Sequence, residues 1–281
     1  MRTFKNLTEN VQEAITMPYG TDFNRPANPE EGMVRYNTTQ DALEFYNGTI
    51  WRVLGDSQVI PNEVTDGLFG HWDADNPSSY NGSGTTLSDL TSNNYDLTLN
   101  NVTFNSSGIK YFDFNGSNSF ASYTNSILKD LTSDNFTIIL WVNWDGSSAL
   151  NPNFILSDMA TSGSRSISIE MNNGNYKGSI NNGGSNSNTS TAAPTGTWEQ
   201  ITLTYNSTDG SKLYGNADLD DNNTNTPTLD RSNHSLFNIG RQAIGDRYFN
   251  GKIANIKIYN RTLSSDEVTQ NFNAKKSTFG L

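Results

Sequence analysis

The carboxylates of this chain are the first residues to test for chemistry. A retaining glycosidase needs two of them about 5 Å apart on one surface. Glu170 and Glu199 each stand alone in an alternating apolar-polar segment, and Asp218, Asp220 and Asp221 fall in an Asn-rich stretch that reads as a turn. The two histidines, His71 and His234, have no partner at metal-ligand or catalytic-relay spacing. His71 alternates into an aromatic strand and reads as a structural residue. No glycine-rich phosphate loop stands between a strand and a helix. What the residue types do offer is non-covalent recognition of a sugar. That needs an aromatic face for the C–H side of the ring and Asn, Asp or Arg groups for the hydroxyls, carried on loops. Trp144-Asp145 after one apolar strand, Asn172 and Asn175 around a polar loop, and Arg247-Tyr248 before the last strand are the candidate ligand-binding residues. No cofactor is required by this pattern. Asp and Asn oxygens leave Ca2+ open, although no loop has the ligand spacing of an EF-hand. The metal question is therefore unknown at this level.

Composition narrows the classes of function. A net charge of −11 argues against nucleic acid, which demands a basic patch, and against docking on anionic lipid. No apolar run approaches the ~18–20 residues that span a bilayer, so membrane insertion is not expected. The first residues, Met1 to Asn6, lack the apolar core of a signal peptide, which leads us to expect synthesis in a cytoplasm. With no Cys, disulfides and thiolate metal sites are excluded. Asn-x-Ser/Thr sequons are frequent because Asn is frequent.

The elements that must position these residues are mostly strands. Phe136, Ile138, Leu140 and Val142 alternate with Thr137, Ile139 and Trp141. Ile201, Leu203 and Tyr205 alternate with Gln200, Thr202 and Thr204, and Ile167, Ile169 and Met171 with Ser166, Ser168 and Glu170. Period-two strands separated by Asn, Gly and Ser turns predict antiparallel sheets packed face to face. The closing segment Asn250–Tyr259 places Ala254, Ile256 and Ile258 on one strand face. Ser264 and Glu267 form a capping box that starts a helix, with Val268 and Phe272 as its apolar stripe. Residues 172–190 read as a strand followed by a mobile loop. Upstream, residues 25–55 predict a three-stranded meander around the Asn47-Gly48 turn, too small to stand alone.

The run Phe249-Asn250-Gly251 through Ile258-Tyr259-Asn260-Arg261 to Leu263-Ser264 and Glu267 resembles the closing segment of laminin-G-like, concanavalin A-like β-sandwich domains. Other family landmarks follow in order: Gly67-Leu68 with Asp73-Ala74, Phe112-Asp113-Phe114-Asn115-Gly116, Trp141, Trp198, Leu213-Tyr214-Gly215-Asn216 and Phe237-Asn238-Ile239-Gly240. Leu87 stands where the family often has Trp. The resemblance spans residues 67–274. It implies an all-β, jelly-roll sandwich with a short C-terminal helix, preceded by the small meander. Relatives often bind glycans, some with Ca2+. Glucanases of this fold carry a Glu-x-Asp-x-Glu triplet, which this chain lacks, so no enzymatic activity is expected. Gly32, Val34-Arg35-Tyr36-Asn37, Glu44, Tyr46, Gly48 and Trp51 resemble a small module of tailed-bacteriophage fibres and appendages.

Together these resemblances imply a virion surface protein, a short fibre, appendage or decoration protein, that displays a lectin-like domain for adhesion to a host cell-surface polysaccharide. The expected organisation is an extended virion-attachment segment over 1–24, the meander over 25–55, a linker over 56–66 and the sandwich over 67–281. Phe4, Val11, Ile15, Tyr36 and Trp51 are the candidate attachment residues toward capsid, neck or tail proteins, and homotrimerisation through the meander is compatible with its size. The competing reading is a purely structural cement protein. A glycan-degrading enzyme of the same fold is disfavoured.

Overall fold

The computed structural model describes residues 17–54, 62–146, 151–160, 166–181, 185–227, 229 and 231–281. Phe4, Val11 and Ile15 lie outside the described residues. The chain divides into two compact units, Met1–Ile60 and Pro61–Leu281.

The smaller unit is a four-stranded sheet in the order Tyr19–Gly20, Val34–Asn37, Ala42–Tyr46 and Trp51–Val53. The last three strands are the expected antiparallel meander. The first pairs parallel to the second, with Tyr19 opposite Tyr36, so the end of the segment read as an extended arm contributes a strand. Asn47 organises its turn by accepting hydrogen bonds from the Thr49 and Ile50 amides at 3.0 and 2.9 Å. Among residues 17–54 the side chains that are fully buried are polar: Arg35, Asn37 and Glu44. Glu44 accepts from Arg25 at 2.7 Å and from Asn37 at 2.8 Å, with Arg35 at 3.5 Å. A buried charge needs such pairing. Tyr36 lies on the opposite sheet face from Glu44, whereas Trp51 lies on the Glu44 face and packs on Tyr46 with ring centroids 5.6 Å apart.

The larger unit is a sandwich of two eight-stranded sheets. The first runs, in spatial order, Ser185–Ala192, Asn175–Asn181, Ser166–Asn172, Asn153–Ala160, His234–Ile239, Phe120–Tyr123, Leu97–Asn100 and Thr86–Leu87. The second runs Asp218–Asn223, Gly210–Gly215, Trp198–Asn206, Phe136–Trp144, Asn250–Tyr259, Tyr111–Asn115 and Thr103–Asn105; Leu68–Asp73 joins it by pairing with the far half of Asn250–Tyr259. Ladder pairs within these sheets are antiparallel. Alternation supplies the core: Phe136, Ile138, Leu140 and Val142 of the second sheet meet Ile167, Ile169 and Met171 of the first. Their partners on the outer side of the second sheet, Ile139 and Trp141, are apolar because the C-terminal segment covers them. Helix α1, Ser265–Lys275, has its capping box, Ser264 accepting from the Glu267 amide at 3.3 Å and Glu267 from the Ser264 amide at 2.9 Å. Val268 packs with Ile139, Tyr259 and Val64. Phe272 and Phe279 stack on Trp141 at 5.8 and 4.0 Å. Val64 and its amide's bond to Asn271 show that residues 62–66, read from sequence as linker, pack into this unit.

Three local expectations are corrected. Residues 172–190 do not run from a strand into a loop: two strands follow Ser166–Asn172, because Asn173 and Gly174, at φ 53° and 81°, make a two-residue hairpin turn. Few apolar residues suffice in Asn175–Asn181, which meets the core through Tyr176 and Ile180. Asp218, Asp220 and Asp221 likewise belong to a strand, turned by Asn216 and Ala217. Ala254 does not share a face with Ile256. A β-bulge opposite Trp141 and Val142 inserts one residue, so Ile253 enters the core while Ala254 joins Trp141 and Trp198 outside.

Candidate binding surface

The structure separates the six residues chosen for ligand binding. Trp144 ends its strand pointing inward, half-buried against the core, and its indole N–H has no partner among the described residues. Asp145, one residue on, faces the other way and pairs with Lys252 at 2.9 Å on the outer surface of the second sheet. Asn172 and Asn175 are the last opposed pair of the hairpin. Arg247 donates to the Asn151 carbonyl at 2.7 Å and the Pro152 carbonyl at 3.3 Å, while Asn151 Oδ1 accepts from the Asn173 amide at 3.0 Å. The hairpin and Arg247 therefore meet through Asn151. Tyr248 bridges to Phe154, near the start of the interior strand Asn153–Ala160, and to Arg241.

On the outer face of the first sheet a polar row, buried at Ser157, Ser168 and Asn238, runs up to a partly exposed aromatic cluster. Register aligns Ser122, Asn238, Ser157, Ser168 and Ser179 across five strands. At one end Asn100 lies 3.5 Å from Ser122. The segment after Ile239 turns back at Gly240, where φ is 78° and an added β-carbon would stand 2.2 Å from Phe114 Cδ1, so glycine alone fits. Residues 241–248 then form a short hairpin, closed by the Gln242 amide on the Arg247 carbonyl at 3.0 Å. Ser157 Oγ donates to the Arg241 carbonyl at 2.9 Å and holds this hairpin against the polar row. The result places the Arg241 guanidinium 4.8 Å from the Phe120 ring centre and 5.3 Å from that of Tyr248. The two rings are 6.4 Å apart. All three side chains are half-buried. Phe120 and Arg241 escaped the sequence reading. Phe120 looks like one more strand aromatic, and Arg241 becomes its neighbour through the fold alone.

Elsewhere among the described residues several titratable groups are shifted by their surroundings. Glu170, buried beside this face, is pushed up by burial, an effect that Lys177 at 3.4 Å partly offsets. On the second sheet Asp113 is raised by burial and by Asp145, but Lys252 stands between these acids and pairs with Asp145. His71 is driven down to about 3 by burial and by the Lys257 ammonium, so it is neutral near pH 7 and faces the Asn255 amide at 3.2 Å. His234 lies 2.6 Å from Asp158, whose carboxylate also accepts from Ser126 Oγ at 2.7 Å and from the Ile127 and Leu128 amides at 3.1 Å. The Ser126 hydroxyl donates to the carboxylate, not to the imidazole, so no base activates it. All three side chains are sealed from solvent. Among the described residues no group of three His, Asp or Glu is arranged to hold a metal ion.

The two packed antiparallel sheets give the fold class, and the family comparison gives the family. Residues 114–269 match the family model Laminin_G_3, described as the concanavalin A-like lectin/glucanases superfamily. That is more than half of the chain, and the protein belongs to this superfamily. No curated protein matches the chain. Among solved structures, it is similar to the binding domain of botulinum neurotoxin serotype D/C, with 17% identity and a TM-score of 0.59 over 74% of this chain and 52% of that one. It is similar to domain 4 of AbnA, an extracellular arabinanase of Geobacillus stearothermophilus solved with arabinotriose, with 20% identity and a TM-score of 0.58, covering 73% of this chain and 97% of that one. The binding domain of Paraclostridial Mosquitocidal Protein 1 gives 20% identity and 0.59 over 74% and 52%. This chain spans about half the length of the toxin binding domains. At these identities the likeness is one of fold.

Proposed function

We propose that this protein is a non-enzymatic surface protein of a tailed bacteriophage, whose N-terminal region attaches it to the particle and whose sandwich adheres to a host-surface glycan. The observation that carries the glycan part is the Phe120–Arg241–Tyr248 cluster beside Asn100 and Ser122: partly exposed aromatic rings next to an amide and a hydroxyl on one sheet face. Aromatic surface takes the apolar side of a pyranose and the polar groups take its hydroxyls. Similar folds include an arabinanase domain solved with an oligosaccharide, which supports the same reading. The virion part rests on the resemblance of residues 32–51 to phage appendage modules and on a small unit whose fully buried side chains, among the described residues, are polar. Such a unit has little hydrophobic stabilisation of its own and gains by packing on a partner.

The test is a glycan-array screen of the full chain, with and without Ca2+, repeated with Phe120→Ala and Tyr248→Ala. Saturable binding to defined saccharides, weakened about tenfold in either variant, is the expected outcome. A folded protein that binds no glycan would leave a structural, particle-cementing role as the better account.

A further inference from the structure

The glycan-binding reading says nothing of charge, and the chain as a whole is acidic, at −11. Cations in the sandwich are commonly held by carboxylates: Lys252, Lys257, Arg261 and Lys275 all form ion pairs. Arg241 and Arg247 differ. They sit six residues apart in one hairpin, and neither has a carboxylate within ion-pair distance among the described residues, although Asp246 is exposed between them. Arg247 uses its guanidinium on the Asn151 and Pro152 carbonyls and so pins the hairpin. Arg241 donates through Nε to the Gly245 carbonyl at 3.1 Å, and its plane is held by Phe120 and Tyr248. Its two terminal nitrogens find no acceptor among the described residues. A guanidinium fixed at Nε and stacked on rings has lost rotamer freedom in advance and presents its terminal fork for a two-point contact. Hydroxyls accept such a fork poorly; a carboxylate matches it.

Resting on the glycan-binding reading, we propose that the ligand is an anionic saccharide bearing a carboxylate, of the uronic or sialic acid type, with Arg241 receiving the acid group and Phe120 and Tyr248 flanking the sugar. The rest of the surface repels polyanions, so retention of an acidic polymer reports this local site, not general adsorption.

The experiment measures affinity of the full chain for hyaluronan, polygalacturonate and polysialic acid, against neutral dextran and galactan, with dextran sulfate as an anion lacking carboxylates. The variants are Arg241→Ala, Arg241→Lys, and Lys110→Ala as a control that removes one charge from the other sheet. Binding to at least one carboxylated polymer and not its neutral counterparts, weakened about tenfold by Arg241→Ala, partly kept by Arg241→Lys and unchanged by Lys110→Ala, is expected. Equal melting temperatures of Arg241→Ala and the parent exclude misfolding as the cause. Neutral polymers bound as well as acidic ones, or an Arg241→Ala protein that binds like the parent, overturns the inference while the glycan-binding reading stands. Preference for dextran sulfate over every carboxylated polymer overturns the choice of carboxylate. Binding to none of the polymers overturns both.

Discussion

Replacing Glu199 by Gln should stabilise this protein at pH 8 and do so much less at pH 4.5. Glu199 lies in the strand Trp198–Asn206 opposite Val142, half-buried, with Oε2 lacking a hydrogen bond among the described residues. Burial pushes its carboxyl from 4.5 to about 7, the Tyr176 hydroxyl beside it pulls the other way, and Asp220 adds repulsion. Because the folded value is the higher one, the folded chain keeps a proton between pH 4.5 and about 7 that the unfolded chain releases. Stability contributed by the protonated form is thus present below pH 4.5 and lost as pH rises through this window, with the full penalty above it. The whole difference corresponds to roughly 3 kcal/mol. Partial exposure and solvent screening reduce this to about 1–2 kcal/mol. For a unit of this size that is a rise in melting temperature of roughly 3–6 °C at pH 8. Gln keeps the shape and cannot ionise. Parent and variant should be melted by calorimetry at pH 4.5, 6 and 8, since the difference between them cancels the titration of every other carboxylate. A shift of equal size at all three pH values, or a loss of stability at pH 8, would refute the reasoning.

Two further perturbations test the packing of the sandwich. Asp158→Asn removes the charge that His234, Ser126 and two amides converge on, in a fully buried setting; a loss of about 3–5 kcal/mol in urea unfolding is expected, and a loss under 1 kcal/mol would show that the cluster is dispensable. Phe279→Ala strips the ring that stacks on Trp141 at 4.0 Å and touches Trp198 at 5.0 Å. It should cost about 2–4 kcal/mol, and an unchanged denaturation midpoint would mean the C-terminal segment adds nothing to the sandwich.

Much of the architecture was legible because it is written in local periodicity. Alternation over 136–142 and 201–205 gave the right inward faces, since a strand can bury only every second residue. The capping box of Ser264 and Glu267 forms as its spacing dictates. Reading failed where the code is not local. The bulge at Ala254 depends on what the neighbouring strand does at Trp141 and Val142. The strands after Asn172 have too few apolar residues to announce themselves, and they form because the tight Asn173-Gly174 turn delivers a second strand to an existing edge. The candidate binding residues fared similarly. Arg247 and Asn172–Asn175 come together through Asn151, whereas Trp144 turns inward and Asp145 lands on the opposite sheet. Consecutive strand residues always point apart.

By itself, then, the sequence determined an all-β chain with a capped terminal helix, a paired-sheet core and no staple of disulfide. These follow from period, turn chemistry and residue type, which act over a few positions. Only the tertiary structure decided which polar surface is the candidate site. Phe120, Arg241 and Tyr248 come from two separate stretches of chain, and although the sequence marks Tyr248, nothing local joins it to Phe120 or Arg241. They become one surface because Gly240 reverses the chain and Ser157 holds the hairpin down, long-range contacts that exist once the sheets have formed.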